Sequence, residues 1–216
     1  MAFLPNSAIK SRQWEDQILG SEYEERLVKQ ASYDLRLGDE VYVVGHRAPD
    51  KLTTGRPYTL LAPGQFAILT THESIKMPND LIAFIAIRTQ FKMQGLVNIS
   101  GFHVDPSFRG KLLFAVQNVG PSDIRLRLGE PTFSIFFSTL ADGDIGGGRD
   151  KQEVHFTQNL TGIRLQDVQL LGGNSLTLSK IQKDVDRLRT LILIYGPFAV
   201  AAFLTMLAVM AKLIKP

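Results

Sequence analysis

The chain has 216 residues, 44% of them hydrophobic and 21% charged, with a mean hydropathy of +0.03. The averages conceal a division: residues 191–211 hold 18 hydrophobic residues in 21 positions and no charge, and every acidic residue lies before them. Upstream of Leu191 there are 22 basic and 21 acidic residues, so the pI of about 9.2 does not describe a basic nucleic-acid-binding surface. The absence of cysteine excludes a disulfide framework, a thiolate nucleophile and a zinc–cysteine site. The upstream part is long enough for one domain with its own core.

The opening MAFLPNSAIKSRQWED is too polar and too soon charged for a secretory signal. Pro5 to Leu19 reads as one amphipathic helix with Ile9, Trp14, Ile18 and Leu19 facing inward. Short β-rich runs follow: 32–37, 41–44, 58–61, 66–71, 81–87, 96–99, 111–118, 124–128 and 132–137. Pro63-Gly64, Pro78-Asn79-Asp80, Pro106-Ser107 and Gly129-Glu130-Pro131 punctuate them, and this spacing predicts a sandwich or barrel rather than a βαβ sheet. Past the last strand, Gly143-Asp144-Ile145-Gly146-Gly147-Gly148-Arg149 reads as a solvated loop, with a phosphate-meeting lid as the alternative.

Leu171-Gly172-Gly173 reads as a linker and Asn174-Ser175 as a helix N-cap. Leu178, Ile181, Val185, Leu188, Ile192 and Tyr195 then recur at intervals of three and four, the pattern of a self-associating coiled stalk, with an amphipathic helix lying on its own domain as the alternative. From Leu191 the helix turns wholly apolar, and at about 1.5 Å per residue 21 residues cover roughly the 30 Å of a hydrocarbon layer. Lys180, Lys183, Arg187 and Arg189 before this span, against Lys212 and Lys215 after it, favour a cytoplasmic head. The expected organisation is a head over residues 1–160, a linker over 161–175, a stalk helix over 176–190 and a transmembrane anchor over 191–214.

The order of short motifs carries more than composition. Ser32-Tyr33-Asp34-Leu35-Arg36-Leu37-Gly38 is followed by Leu61-Ala62-Pro63-Gly64, Glu73-Ser74-Ile75 with Met77-Pro78, and Arg88 leading to Gly95-Leu96. Then come Gly101, Val104-Asp105-Pro106-Ser107-Phe108-Arg109-Gly110, Asn118 and Leu128-Gly129. Over roughly residues 5–140 this series resembles the dCTP deaminase branch of the dUTPase-like superfamily. The resemblance implies a mainly β, distorted barrel or jelly-roll (β-clip) with an N-terminal helix, trimeric assembly, and pyrimidine nucleotide sites at subunit interfaces, with Mg2+ on the triphosphate and no cofactor otherwise required.

Function has to be argued from the site and not from the fold. The resemblance implies two serines and a second arginine after the position of Arg88; here Thr89 and Gln90 stand for the serines and Met93 for the arginine, with Lys92 one position off. A lysine lacks the bidentate fork with which arginine grips phosphate. The family's general acid/base glutamate falls on Ala115, which offers no proton to move. Asp105 matches the water-orienting aspartate of dUTP pyrophosphatases and is the candidate catalytic group, although the same aspartate also serves as part of a turn. Phe108 matches the aromatic under the deoxyribose. The ligand set is therefore Arg88, Thr89, Gln90, Lys92, Gly101, Asp105, Phe108 and Gln117. Of the histidines His46, His72, His103 and His155, none lies three or four from another, so no metal site is expected; His103 shares a strand face with Asp105.

Three functions follow from these departures. One is a membrane-anchored nucleotide-binding head that senses or regulates with little or no deamination. Another is an active dCTP deaminase or dUTP/dCTP pyrophosphatase working through Asp105 and Lys92. The third is a ligand-free trimeric assembly module. Nucleic acid is not an expected partner.

Overall fold

The computed structural model describes residues 2–140, 162–163 and 178–213. By its contacts the chain divides into two units, Met1–Ser175 and Leu176–Pro216. The glycine run 143–149, His155 and the 171–175 linker with its cap lie outside the described residues.

Helix α1 spans Asn6–Asp16 and stops at Gln17, whose φ of 54° is left-handed. The stop is held by Gln13: its Oε1 accepts the Leu19 N–H at 2.8 Å and its Nε2 donates to the Gly20 carbonyl at 3.1 Å. Because the chain turns here, the helical phase does not continue to Leu19. Ile9, Ile18 and Leu19 are fully buried as expected, whereas Trp14 is 80% exposed, a correction to its inward placement. Ile9 and Gln13, one helical turn apart, form the inward stripe, and Trp14 lies off it.

Ten strands follow: β1 (Tyr33–Val43), β2 (Asp50–Lys51), β3 (Tyr58–Leu61), β4 (Phe66–Lys76), β5 (Leu81–Ile87), β6 (Leu96–Asn98), β7 (His103–Val104), β8 (Arg109–Asn118), β9 (Ile124–Arg127) and β10 (Pro131–Thr139). A short helix α2, Thr89–Lys92, interrupts them. The main sheet runs β6-β8-β4-β1-β10-β5-β7 with β2 on β1, and β3 and β9 form a separate ribbon. The sheet curls into a half-barrel: Phe114 of β8 and Phe133 of β10, three places apart in the strand order, stack at 3.8 Å between centroids, both without exposed surface.

The two expected runs 32–37 and 41–44 are one strand. β1 pairs with β10 through Arg36 and with β4 from Leu37 onward, and a register shift between Leu37 and Val41 interrupts the pairing with β4. Gly38 is required at that shift, since a Cβ there would lie 2.6 Å from the Thr71 carbonyl and from Thr70 Oγ1. The expected run 66–71 likewise continues past a second shift, between Thr70 and Ser74, to Lys76. The buried ion pair of Arg36 and Glu73 sits beside both shifts. Glu73 Oε1 accepts from Arg36 Nε at 2.7 Å and Oε2 from the Arg36 backbone N–H at 2.9 Å, with the Glu73 side chain 0% exposed. The remaining arms of Arg36 donate to Glu24 and to the Glu22 carbonyl. Burial pulls the guanidinium down, but the two carboxylates outweigh it and the net direction is up.

In the second unit α3 is one continuous helix, Leu178–Leu213, with Pro197 inside it. Asp184–Leu207 is long and apolar enough to cross a membrane. Val185, Leu188, Ile192 and Tyr195 of the expected seam are all exposed on this helix.

Glu73→Ala leaves a buried guanidinium without its partner, and should lower the urea-unfolding free energy of the head by about 3–5 kcal/mol, read by the near-ultraviolet dichroism of the buried tyrosines. Asp39 gives a pH-dependent case. Burial alone would raise its carboxyl, but Lys111 Nζ at 3.1 Å reverses the sign and holds it below the usual carboxylate range. A lowered folded-state value stabilises above the unfolded value and is lost as pH falls through the folded one. Lys111→Met should therefore destabilise at pH 7 and lose its effect below about pH 4, measured by urea midpoints across pH.

Candidate functional site

Four of the expected ligand residues come together. Arg88, in extended conformation at φ −64° and ψ 146°, follows β5 and leads into α2. With Thr89, Gln90 and Lys92 it lines an open pocket of about 230 Å³, together with Ala86, Ser134 and Phe136. Thr89, Gln90 and Lys92 are exposed, Phe91 is buried in the core, and Met93, at the second-arginine position, is 83% exposed.

Arg88 is aimed by groups that the sequence did not single out as site residues. Its Nη1 donates to the Pro131 carbonyl at 3.2 Å, and its Nε lies 3.3 Å from Asp34 Oδ2. The Asp34 side chain is 6% exposed. It also accepts from Ser134 Oγ at 3.0 Å and has Lys29 Nζ at 3.7 Å. Two cations and a hydroxyl around one buried carboxylate are a way to hold a guanidinium in place without spending its whole fork. The alternation of Tyr33, Leu35 and Leu37 with Asp34 and Arg36 was the available signal, because a charged stripe opposite an apolar one on a central strand has to find partners.

The mount of α2 explains the Gly95 of the motif. Gly95 has φ +99°, and a Cβ on it would lie 2.3 Å from the Gly120 nitrogen; a Cβ on Gly120 would lie 2.1 Å from the Gln94 carbonyl. The Val119 N–H donates to the Gly95 carbonyl at 2.9 Å. Asn118, fully buried, locks this crossing: its Nδ2 donates to Leu61 O at 2.7 Å and to Ser122 O at 2.8 Å, and its Oδ1 accepts from the Gly120 N–H at 2.9 Å.

The other expected residues do not line that pocket. Gly101 and Asp105 are exposed around the two-residue strand β7, and Asp105 Oδ1 lies 3.4 Å from His103 Nε2. Phe108 is partly buried against the core, where its carbonyl accepts the Met77 N–H at 2.8 Å. Gln117 stands on β8 and donates from Nε2 to the Gly64 carbonyl at 3.3 Å. Ala115, two residues before it on the same face, pairs across the sheet with Ile68. Ile68 belongs to a small apolar cluster with Tyr42, Val44 and Ile163, against which Leu113 and Phe66 pack. The Ile163 N–H is fixed by Glu40 Oε2 at 2.8 Å. The acid/base position thus carries a methyl group beside an apolar patch. Among the described residues no cluster of three or more His, Asp or Glu is placed to hold a metal ion.

The dCTP deaminase-like family model matches residues 3–140. A dUMP-forming dCTP deaminase of Methanosphaera stadtmanae is 23% identical over 180 residues, covering 75% of this chain and 84% of the relative. A dCTP deaminase of Thermococcus kodakarensis is 32% identical over 124 residues, covering 57% of this chain and 77% of the relative. The crystal structure of 2'-deoxycytidine 5'-triphosphate deaminase from Agrobacterium tumefaciens superposes with a TM-score of 0.53 at 19% identity, over 62% of this chain and 47% of that one, and is a likeness of fold.

Two substitutions separate structural from peripheral positions. Gly95→Ala places a side chain at positive φ against backbone and should cost at least about 2–3 kcal/mol. Asp105→Asn, at an exposed turn, should change stability by less than about 0.5 kcal/mol. Urea denaturation of the two variants measures both.

Proposed function

The chain belongs to the dCTP deaminase-like family, and on that premise we propose that it is a membrane-anchored trimer. In this reading it binds a pyrimidine (deoxy)nucleotide or nucleotide-like ligand at subunit interfaces and acts as a sensor or regulator with little or no deamination. The observation that carries it is the contrast between two positions: Arg88 is held at a formed pocket by Asp34, whereas Ala115 has no titratable group to offer. Loss of a general acid/base alone costs about 10²–10⁴ in rate.

Three observations support the parts of this reading. Among the described residues the α2 pocket is lined by neither Ala115, Gln117 nor Asp105, as expected of a site completed by a neighbouring copy. Met93, Val97, Ile99 and Val119, near α2 and β6, expose apolar side chains that suit such a neighbour. The apolar stretch Asp184–Leu207, with positive charges before it, supports an anchor with the head on the cytoplasmic side. The same helix is where a self-associating stalk would lie. Mg2+, where the ligand is a triphosphate, would be carried by the phosphate oxygens. Ligand binding between subunits then changes the packing of the helices below only as far as it binds one packing more tightly than another.

The second reading, an active deaminase or pyrophosphatase, is favoured by the His103–Asp105 contact at 3.4 Å and by relatives that are dCTP deaminases. The third, an assembly module without a ligand, predicts a pocket filled by Phe91, Met93 and Phe114; Phe91 and Phe114 are instead core residues, Met93 is exposed, and the α2 pocket is open.

Isothermal titration of the detergent-solubilised chain with dCTP, dUTP, dTTP and cyclic nucleotides is the test. At least one nucleotide should bind, and Arg88→Ala should weaken it about tenfold or more. Ammonia release from dCTP should stay at background, and Ala115→Glu is the change expected to raise it. Robust ammonia or pyrophosphate release from the unaltered chain, abolished by Asp105→Ala, would establish the second reading, and no binding of any nucleotide the third.

A further inference from the structure

The β3–β9 ribbon carries a surface that the nucleotide site does not use. Its inner face is core: Leu61, Ile124 and Leu126 are all 1% exposed or less. Its outer face is formed by Tyr58 and Leu60 on β3, directly opposite Arg127 and Arg125 on β9. Leu60 is 57% exposed and Tyr58 37%. The guanidinium of Arg125 lies 3.5 Å over the Tyr58 ring and that of Arg127 5.7 Å from its centre. Among the described residues neither arginine has a carboxylate within ion-pair distance. Arg56, just before β3, adds a third exposed cation, its nearest carboxylate being Asp50 at 4.0 Å. Asp123, ahead of β9, is the acidic residue closest in sequence to the patch.

We propose that this ribbon face docks on an anionic lipid surface. One arginine stacked on a tyrosine with a second beside it, next to an outward leucine, pairs a phosphate-seeking fork with side chains that partition into the headgroup layer. A docked leucine loses its contact with water while the guanidiniums, exposed beside the ring, remain free to meet lipid phosphates. Nucleic acid is the poorer match: the patch is a few residues long, the head is nearly neutral, and Leu60 has nothing to gain from a phosphate backbone. The inference rests on the anchored reading in one respect, that a tether at a membrane raises the effective lipid concentration around the head to the millimolar range, about the strength that three surface arginines can use.

The test uses the full chain reconstituted in nanodiscs of phosphatidylcholine, with or without 30% phosphatidylglycerol, and hydrogen exchange read over residues 57–61 and 123–128. Exchange in these two segments should slow at least about threefold in the anionic discs only, with each arginine worth about fivefold in docked population. The slowing should vanish in 0.5 M salt and in the R125E/R127E variant, while R125K/R127K keeps most of it. Equal exchange in both disc types, or slowing that R125E/R127E leaves intact, overturns the proposal. Slowing by a single-stranded oligonucleotide in neutral discs overturns it in favour of nucleic acid. A chain that fails to co-isolate with any disc overturns the anchored reading instead; the ribbon is then judged by flotation with phosphatidylglycerol vesicles, where no flotation overturns it.

Discussion

A carboxylate with no exposed surface tolerates only one arrangement, and Glu73 has found it in Arg36. The pair stands where β1 leaves β10 for β4 and where β4 leaves and rejoins β8, so each shift in register is pinned by the same two side chains. A slip of one residue in β1 would turn Tyr33, Leu35 and Leu37 out of the core and break the pair at once. Its outer arms reach Glu24 and the Glu22 carbonyl, fixing the segment between α1 and β1, and the Glu24 N–H in turn donates to the Tyr33 hydroxyl at 3.1 Å. The curl of the sheet and the closure of its N-terminal side therefore depend on one interaction.

The same face of β1 serves the site. Asp34 lies two residues before Arg36 and does for Arg88 what Glu73 does for Arg36: a buried carboxylate decides where a guanidinium points. The difference is in how much of the fork is used. Arg36 is consumed by the fold, while Arg88 contacts Asp34 and Pro131 through Nε and Nη1. Arg88 can thus be both part of the scaffold and a group facing the α2 pocket.

Much of the strand pattern was legible in the sequence, because β-branched and aromatic runs separated by Pro and Gly turns have few other solutions; 58–61 and 81–87 coincide with β3 and β5. The failures share a cause. The merging of 32–37 with 41–44 depends on a glycine-centred shift that composition does not reveal, and Trp14 was misplaced because a side-chain bond from Gln13 ends the helix early. Alternation along β1 marks Asp34 and Arg36 as a charged stripe that needs partners, but not which ones; both are buried and satisfied by residues far along the chain. At the site, Arg88 to Lys92 are contiguous and their convergence could be read directly. Asp34, Lys29 and Ser134 gather through tertiary pairing alone, and no spacing rule connects them.

The central place of β1 also sets a schedule. Its first half pairs with β10, a hundred residues later in the chain, so the head cannot close until Thr139 has left the ribosome. The apolar stretch beginning at Asp184 follows only 45 residues behind. At 5–20 residues per second that interval is roughly 2–9 s, and sheets built on long-range pairing close in milliseconds to seconds. The head has time to seal its strand edges before the apolar helix emerges, so the two units of the chain form one after the other.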